Sequence, residues 1–428
     1  MTGRILLAEL RHSPLRWAWP VLVAIDLFAL FGRSDHWIGV WSQTSAAAQV
    51  PAFYLGPAMA ALAAWTAARR RRENAGGWMD AAARPAPVME CVHLGITLAY
   101  GVTAYGVGVI AAVAVTLPGG GTHFFWPGYV LLGLVVIVLC TGVGHAVGRA
   151  GTSLVAAPLG TALVLFVLFS FFGFVPQGAE WGLGLMVVSG YPDVVTAAGP
   201  MLARSALALA VVLVAVAVGR RLRSTPGRPG WPGVPATALA ACGFLAVSVV
   251  GFATAGPVLQ QRGVPDEPLC TSHEPRVCLW PESRKYLEEA ELMSRRVAAL
   301  PADLFTSPAA FHETGLRGET TMGSGFHIRE GEMWEVATSL AIRVQEMSTP
   351  PYCDAVTFDE DEKRWAADME LISWLTARIA GGGKPPTVHG GPPGVDEKTV
   401  HAIVAEPEEV QAAWAGERLA TIRETRCA

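Results

Sequence analysis

Residues 59–92, MAALAAWTAARRRRENAGGWMDAAARPAPVMECV, set four consecutive arginines, Arg69 to Arg72, between two long apolar runs. Upstream, Ala46 to Ala68 is long enough to cross a bilayer, and downstream so is Val92 to Leu117. Four adjacent guanidinium groups cannot follow those runs into hydrocarbon, so the hairpin must turn at a membrane surface. Short basic loops are retained on the cytoplasmic side. The loop from Arg69 to Cys91, which also holds Arg84, therefore marks the inside and orients every other segment.

Composition divides the chain in the same way. Of 428 residues, 52% are hydrophobic and 16% charged, where a soluble protein carries about a quarter charged. Residues 1–257 hold fifteen Arg, no Lys and eight acids, a net of +7; residues 258–428 carry a net of −11. Two parts in different surroundings are expected: a transmembrane domain over 1–257 and a soluble domain over 258–428.

The apolar segments predict seven spans, at about 15–31, 46–68, 92–117, 128–147, 152–174, 201–218 and 235–255. An amphipathic helix over Met1–Arg16 precedes them, and the first span lacks a cleavage pattern after Phe31, so it reads as an uncleaved anchor. With the N-terminus inside, seven crossings put the C-terminus outside. Inside loops then hold thirteen arginines and outside loops two, Arg33 and Arg204. Gly144 and Gly148 form a G-x-x-x-G pair, and Gly56 with Ala60 a looser small-residue pair, both suited to close helix packing. Pro176–Pro200 is too broken to span and too apolar for a free loop. It predicts short interfacial or re-entrant helices leading into Met201.

Few residues carry chemistry. Asp26 lies inside the first span and His145 inside the fourth; an intramembrane polar group faces a partner or a cavity, and these two are the candidates of that kind. Glu90 and His93 sit at the inner end of the third. Gly381-Gly-Gly-Lys384 precedes Pro385 and lacks phosphate-loop spacing, and His312-Glu313 lacks the second histidine of a zinc-protease motif. Cys270-x-x-His273-x4-Cys278 offers too few ligands for a metal knuckle. No catalytic residue, cofactor, metal or nucleic-acid partner is expected, and the chain does not read as an enzyme.

The opening Arg4-Ile-Leu-Leu-Ala-Glu-Leu-Arg11-His-Ser-Pro-Leu-Arg16, the Arg69–Pro85 loop and the broken segment before the sixth span together resemble the membrane subunit of an ABC-2-type transporter, over about residues 1–219. The resemblance implies a coupling helix at Asn74–Ala83 docking on a separate ATPase. The loop residues concerned are Arg69, Arg70, Arg71, Arg72, Glu73, Gly76, Trp78, Met79, Asp80 and Arg84. It further implies a homo- or heterodimer of membrane subunits. A seventh span and a large outside domain depart from the family pattern.

The outside domain holds Cys270, Cys278, Cys353 and Cys427. Of three possible pairings, Cys270–Cys278 and Cys353–Cys427 are favoured, one as a local loop and the other as a tie on the chain end. Apolar stripes at helical spacing run over 287–300, 333–347 and 365–379, with shorter helices over 396–404 and 406–423. Val277–Trp280 and Thr320–Ile328 are expected to pair as short strands. The sequence thus predicts an all-α membrane protein: seven transmembrane helices, then a mainly helical, disulfide-bonded extracytoplasmic domain. The function expected is that of an exporter permease in the cell membrane. The competing expectation is a membrane-anchored sensor or binding protein.

Overall fold

A computed structural model describes residues 10–33, 35–72, 86–119, 125–151, 153–173, 184–221, 234–254, 256–317, 325–350, 358–382, 395 and 397–424. The chain is mainly helical and divides into two compact units. The first contains the described residues up to Gly190 and those from Val194 to Gln260; the second contains Tyr191–Asp193 and the described residues from Gln261 onward.

In the first unit a 3-10 turn, Pro14–Trp17, leads into α1 (Trp19–Phe31). There follow α2 (Trp41–Gln49), α3 (Ala52–Arg72), α4 (Ala86–Thr116), α5 (Pro127–Ala150), α6 (Ala156–Phe172), α7 (Ala198–Arg221) and α8 (Val234–Thr254). Four helical stretches among the described residues are long and apolar enough to cross a membrane: Trp41–Arg70, Met89–Thr116, Pro127–Ala150 and Ala198–Ala217. Trp19–Phe31, Ala156–Phe172 and Leu239–Thr254 are apolar but shorter. Each expected span coincides with one of these seven helical stretches. Nine residues of the expected N-terminal amphipathic helix lie outside the described residues; Leu10–His12 are helical.

The second helical stretch begins earlier than its apolar run suggests. Helix α2 starts at Trp41 and breaks at Val50–Pro51, because Pro51 has no N–H for the carbonyl of Ala47; Val50 takes that carbonyl instead, at 3.1 Å. The core forms where α3, α4 and α5 meet, with Leu55, Met59, Tyr105, Val136 and Ile137 fully enclosed. The G-x-x-x-G pair sets how closely α3 and α5 approach. A Cβ on Gly144 would overlap the backbone of Ala60, and one on Gly148 that of Ala64. Gly56 faces Val136 and Cys140 in the same seam.

Two expectations are corrected in this unit. Residues 176–183 of the Pro176–Pro200 segment lie outside the described residues; Gly184–Ala197 is not helical and leads through β1 (Val194–Thr196), which pairs with β2 (Leu259–Gln261), into α7. Its backbone can stay extended while buried because side chains and a helix end supply hydrogen bonds. Arg204 does not lie in a loop. It belongs to α7 and is buried there.

The second unit has a four-stranded sheet in the order β3 (Leu269–Cys270), β4 (Arg276–Leu279), β5 (Ala310–Glu313), β6 (Gly325–Phe326). β3 and β4 are antiparallel, and the Cys270–Cys278 disulfide joins residues opposite each other in their register. β5 is parallel to both β4 and β6. The two stretches expected to pair directly are therefore separated by β5, whose Phe311 and Glu313 point inward and occupy the central position. Helices α9 (Leu287–Ala298), α10 (Met333–Ser348), α11 (Phe358–Ala380), α12 (Glu397–Val404) and α13 (Glu408–Glu424) match the five expected helices. Trp374 of α11 stacks on Phe305 at 5.8 Å, lies 6.4 Å from Trp414, and donates its indole N–H to Gln411 at 3.2 Å. Cys353 and Cys427 lie outside the described residues.

Candidate functional site

Helix α2 is the unusual element of the first unit. Its sequence, WSQTSAAAQ, is polar, yet Ser42, Gln43, Thr44, Ser45 and Gln49 are all buried. Most buried polar groups are hydrogen-bonded, and several of the partners here are distant in sequence. Thr44 donates to the Trp37 carbonyl at 2.8 Å, so its 2.8 Å contact with Thr116 must run the other way, from the Thr116 hydroxyl to Thr44. Thr116 in turn accepts from the Gly39 amide at 3.4 Å. Ser45 donates to Trp41 and accepts the Trp126 amide at 2.9 Å.

Gln49 closes the arrangement. Its side-chain amide donates to the Leu185 carbonyl and its oxygen accepts from the Val187 amide, both at 3.2 Å. It thus pairs with the extended segment as a neighbouring strand would. The amides of Leu185 and Met186 reach the carbonyl of Gly173 at the end of α6, each at 2.9 Å. Arg204 donates to the Gly184 and Pro200 carbonyls at 3.0 Å and lies 5.0 Å from the Phe252 ring. At the other end of the segment, Gly190 packs on the Ser42 carbonyl where a Cβ would not fit. The segment is non-helical backbone with Leu185, Met186 and Val187 buried among the helices, alongside a helix broken at Pro51. The Ser42 hydroxyl and the Trp37 indole N–H are buried there with no hydrogen-bond partner among the described residues.

The sequence-predicted candidates fall elsewhere. Asp26 is wholly buried where α1 meets α4; its carboxyl fills the space left by Gly108, and its oxygens meet no hydrogen-bond partner of normal geometry among the described residues. His145 joins a different group. Its Nε2 lies 3.4 Å from Glu90, and the other oxygen of Glu90 pairs with Arg149. This ion cluster ties the start of α4 to the end of α5. His93 is buried one turn beyond Glu90, with Nδ1 unpartnered among the described residues.

Of the proposed coupling loop, Arg69 and Arg70 are half-buried in the last turns of α3, with Arg69 5.6 Å from the Trp65 ring. Arg71 and Arg72 continue that helix. Glu73, Gly76, Trp78, Met79, Asp80 and Arg84 lie outside the described residues. Sequence reasoning missed Ser42, Thr44, Ser45, Gln49 and Arg204. The available signal was W-S-Q-T-S immediately before an apolar run, too polar for the start of a span and bounded by Pro51.

The second unit carries a buried carboxyl group of its own. Glu313 accepts the Trp280 amide at 2.8 Å and the Ser283 hydroxyl at 3.0 Å. Burial first, then the neighbouring Asp193 and Glu282, push it up to about 8 against those hydrogen bonds. Burial also pushes Asp193 up to about 6. By contrast Ser272, His273 and Glu291 form an exposed cluster in which the serine and the glutamate both contact Nδ1 of the one imidazole. That is a turn anchor rather than a relay, since the serine and the glutamate meet the same ring nitrogen and the imidazole cannot stand between them. Cys270 and Cys278 are consumed by their disulfide, and no group of three metal-ligating side chains gathers among the described residues. No family model, curated protein or solved structure matches the chain.

Proposed function

We propose that the chain is the membrane-spanning permease subunit of an ABC-type exporter and works with a separate ATPase. The observation that carries this reading is the buried extended stretch Leu185–Val187, held by Gln49 beside a broken polar helix. Non-helical backbone at membrane depth is tolerated only where protein buries it or where it lines a pathway. Paired with a discontinuous helix, it is the usual mark of a transporter's substrate region.

Seven crossings with the N-terminus inside and residues 258–428 outside complete the reading, and the subunit acts as a homo- or heterodimer. The chain has no nucleotide loop, so work must come from a partner. The Arg69–Cys91 loop is a suitable lever because it joins α3 to α4, and Glu90 links α4 to α5 through Arg149 and His145.

Two measurements test the proposal. Thiol labelling from outside intact cells should modify Tyr286→Cys and spare Arg70→Cys; the opposite pattern sinks the topology. Affinity purification of the full chain from its native membrane should carry an ATP-binding cassette subunit, and scrambling 74–83 should release it. If no ATPase accompanies the intact chain, the sensor reading takes its place, and the buried carboxyls of the second unit favour that alternative.

A further inference from the structure

The short segment Tyr191–Asp193 is packed in the second unit, although the chain on either side of it belongs to the first. Four features hold it. The Asp193 carbonyl accepts the Arg262 amide at 2.7 Å, and the Arg262 side chain reaches the Pro192 carbonyl at 3.4 Å. The Tyr191 ring lies 5.1 Å from that of His327. Gly315, at φ +87°, opens the slot that receives Asp193: a Cβ there would stand 2.8 Å from the Asp193 Cβ and 3.3 Å from the Trp280 ring.

Glu313 of β5 thereby has two acids near it, Asp193 of this segment and Glu282 of the 3-10 turn Pro281–Tyr286. Glu282 is paired with Arg262, whose guanidinium also lies 5.1 Å from the Trp280 ring. Glu313 meets neutral donors, the Trp280 amide and the Ser283 hydroxyl. One oxygen of Asp193 is buried with no hydrogen-bond partner among the described residues. The remaining groups around the cluster are the Tyr286 phenol and, beyond it, Glu289. His312 on β5 has Arg317 near it, and His327 has Arg329. None of these gives Asp193 or Glu313 a compensating positive charge among the described residues.

We propose that Asp193, Glu282 and Glu313 form a proton-operated latch: with Asp193 and Glu313 protonated the Tyr191–Asp193 segment stays docked, and when both ionise it is expelled. The chemistry is a bare proton exchange with water. A carboxylic acid can sit beside a carboxylate and donate to it; two or three carboxylates in one buried site repel. Docking at neutral pH therefore requires a bound proton, and alkaline conditions remove it. The direction agrees with the raised proton affinity of both groups. Because β1 follows Asp193 directly, release would free the link between the buried extended segment and β1. That consequence for transport rests on the permease reading, whereas the latch itself does not.

Hydrogen exchange on the full-length chain in lipid nanodiscs tests the latch, with rates corrected for the intrinsic pH dependence of exchange. Amide protection at Asp193, Arg262 and Thr314 should fall at least tenfold between pH 6 and pH 9. Glu313→Gln, which keeps an acceptor and adds a donor for Ser283, should hold protection level across that range. Asp193→Asn should do the same, and it serves if Glu313→Gln does not fold. Gly315→Ala should leave the segment unprotected at both pH values. Wild-type protection that is equal at pH 6 and pH 9 overturns the proposal, as does a pH dependence that survives both neutral variants. A failed topology or ATPase experiment would leave this readout untouched, so the two ideas fail separately.

Discussion

Gln49 Nε2 donates to the Leu185 carbonyl at 3.2 Å, across 136 residues of sequence. With the return bond from the Val187 amide, one side chain satisfies two backbone groups that no helix or sheet serves. Leaving a buried polar group without its partner costs about 1–3 kcal/mol. Gln49→Leu should therefore destabilise the first unit by roughly 2–6 kcal/mol, both groups being orphaned. Thermal unfolding of the purified chain in detergent would register a lower Tm, and an unchanged Tm would refute the clamp.

Gly144→Ala should separate α3 from α5, because the added methyl meets the backbone of Ala60 rather than a movable side chain. Overpacking of this kind costs about 1–3 kcal/mol. Gly95→Ala in α4 is the control, since nothing lies within 4 Å of the Cβ position. Equal losses in the two variants would show that the seam is not set by glycine.

Glu90→Gln leaves Arg149 and His145 facing a neutral amide in a site where their side chains are about 10% and 5% exposed. Breaking one side of a buried pair costs on the order of 3–5 kcal/mol. The double variant Glu90→Gln with Arg149→Met should recover much of that loss. A double-mutant cycle on unfolding midpoints measures the coupling, and strict additivity would deny the pair.

The Cys270–Cys278 disulfide spans a sequence separation of 8 residues. Closing so short a loop is worth roughly 2–3 kcal/mol through the unfolded chain. Replacing both cysteines by serine should lower the Tm of the second unit, and reductant should lower the wild type to the same value.

The shifted groups fix a sign for the pH dependence of the second unit. Glu313 rises from an ordinary 4.5 to about 8, so the folded chain holds a proton that the unfolded chain has lost, and stability falls as pH climbs through that interval. Opposite in sign, Glu291 is lowered to about 2, chiefly by the Ser272 hydroxyl; its contribution is present above 4.5 and lost as pH falls toward 2. His312 and His327, both lowered by burial, likewise cost stability below their ordinary 6.5. Asp193 adds its decline only up to about 6. Between pH 6.5 and 8 the Glu313 effect therefore stands clear of these others. Chemical denaturation should give a decreasing stability across that window in the wild type and a flatter one in Glu313→Gln.

Much of the architecture was legible because it is written in composition and period. The apolar runs anticipated the helices between Trp19 and Thr254 other than the polar α2, and the stripes beginning at Leu287, Met333 and Trp365 anticipated α9, α10 and α11. The local pairing of Cys270 with Cys278 was legible too, since eight residues of chain keep the two thiols close in any fold. Strand order was not: β5 carries a four-residue signal, and parallel neighbours leave no hairpin mark in the sequence.

What the sequence determined by itself was which segments are apolar enough to leave water: apolar length acts through solvation, which each segment feels on its own. Which polar groups would meet inside was decided only by the tertiary structure. Gln49 and Leu185, or Asp193 and Glu313, are strangers along the chain. A buried hydrogen bond or a shared proton depends on distances between elements, and no single segment's chemistry sets those distances.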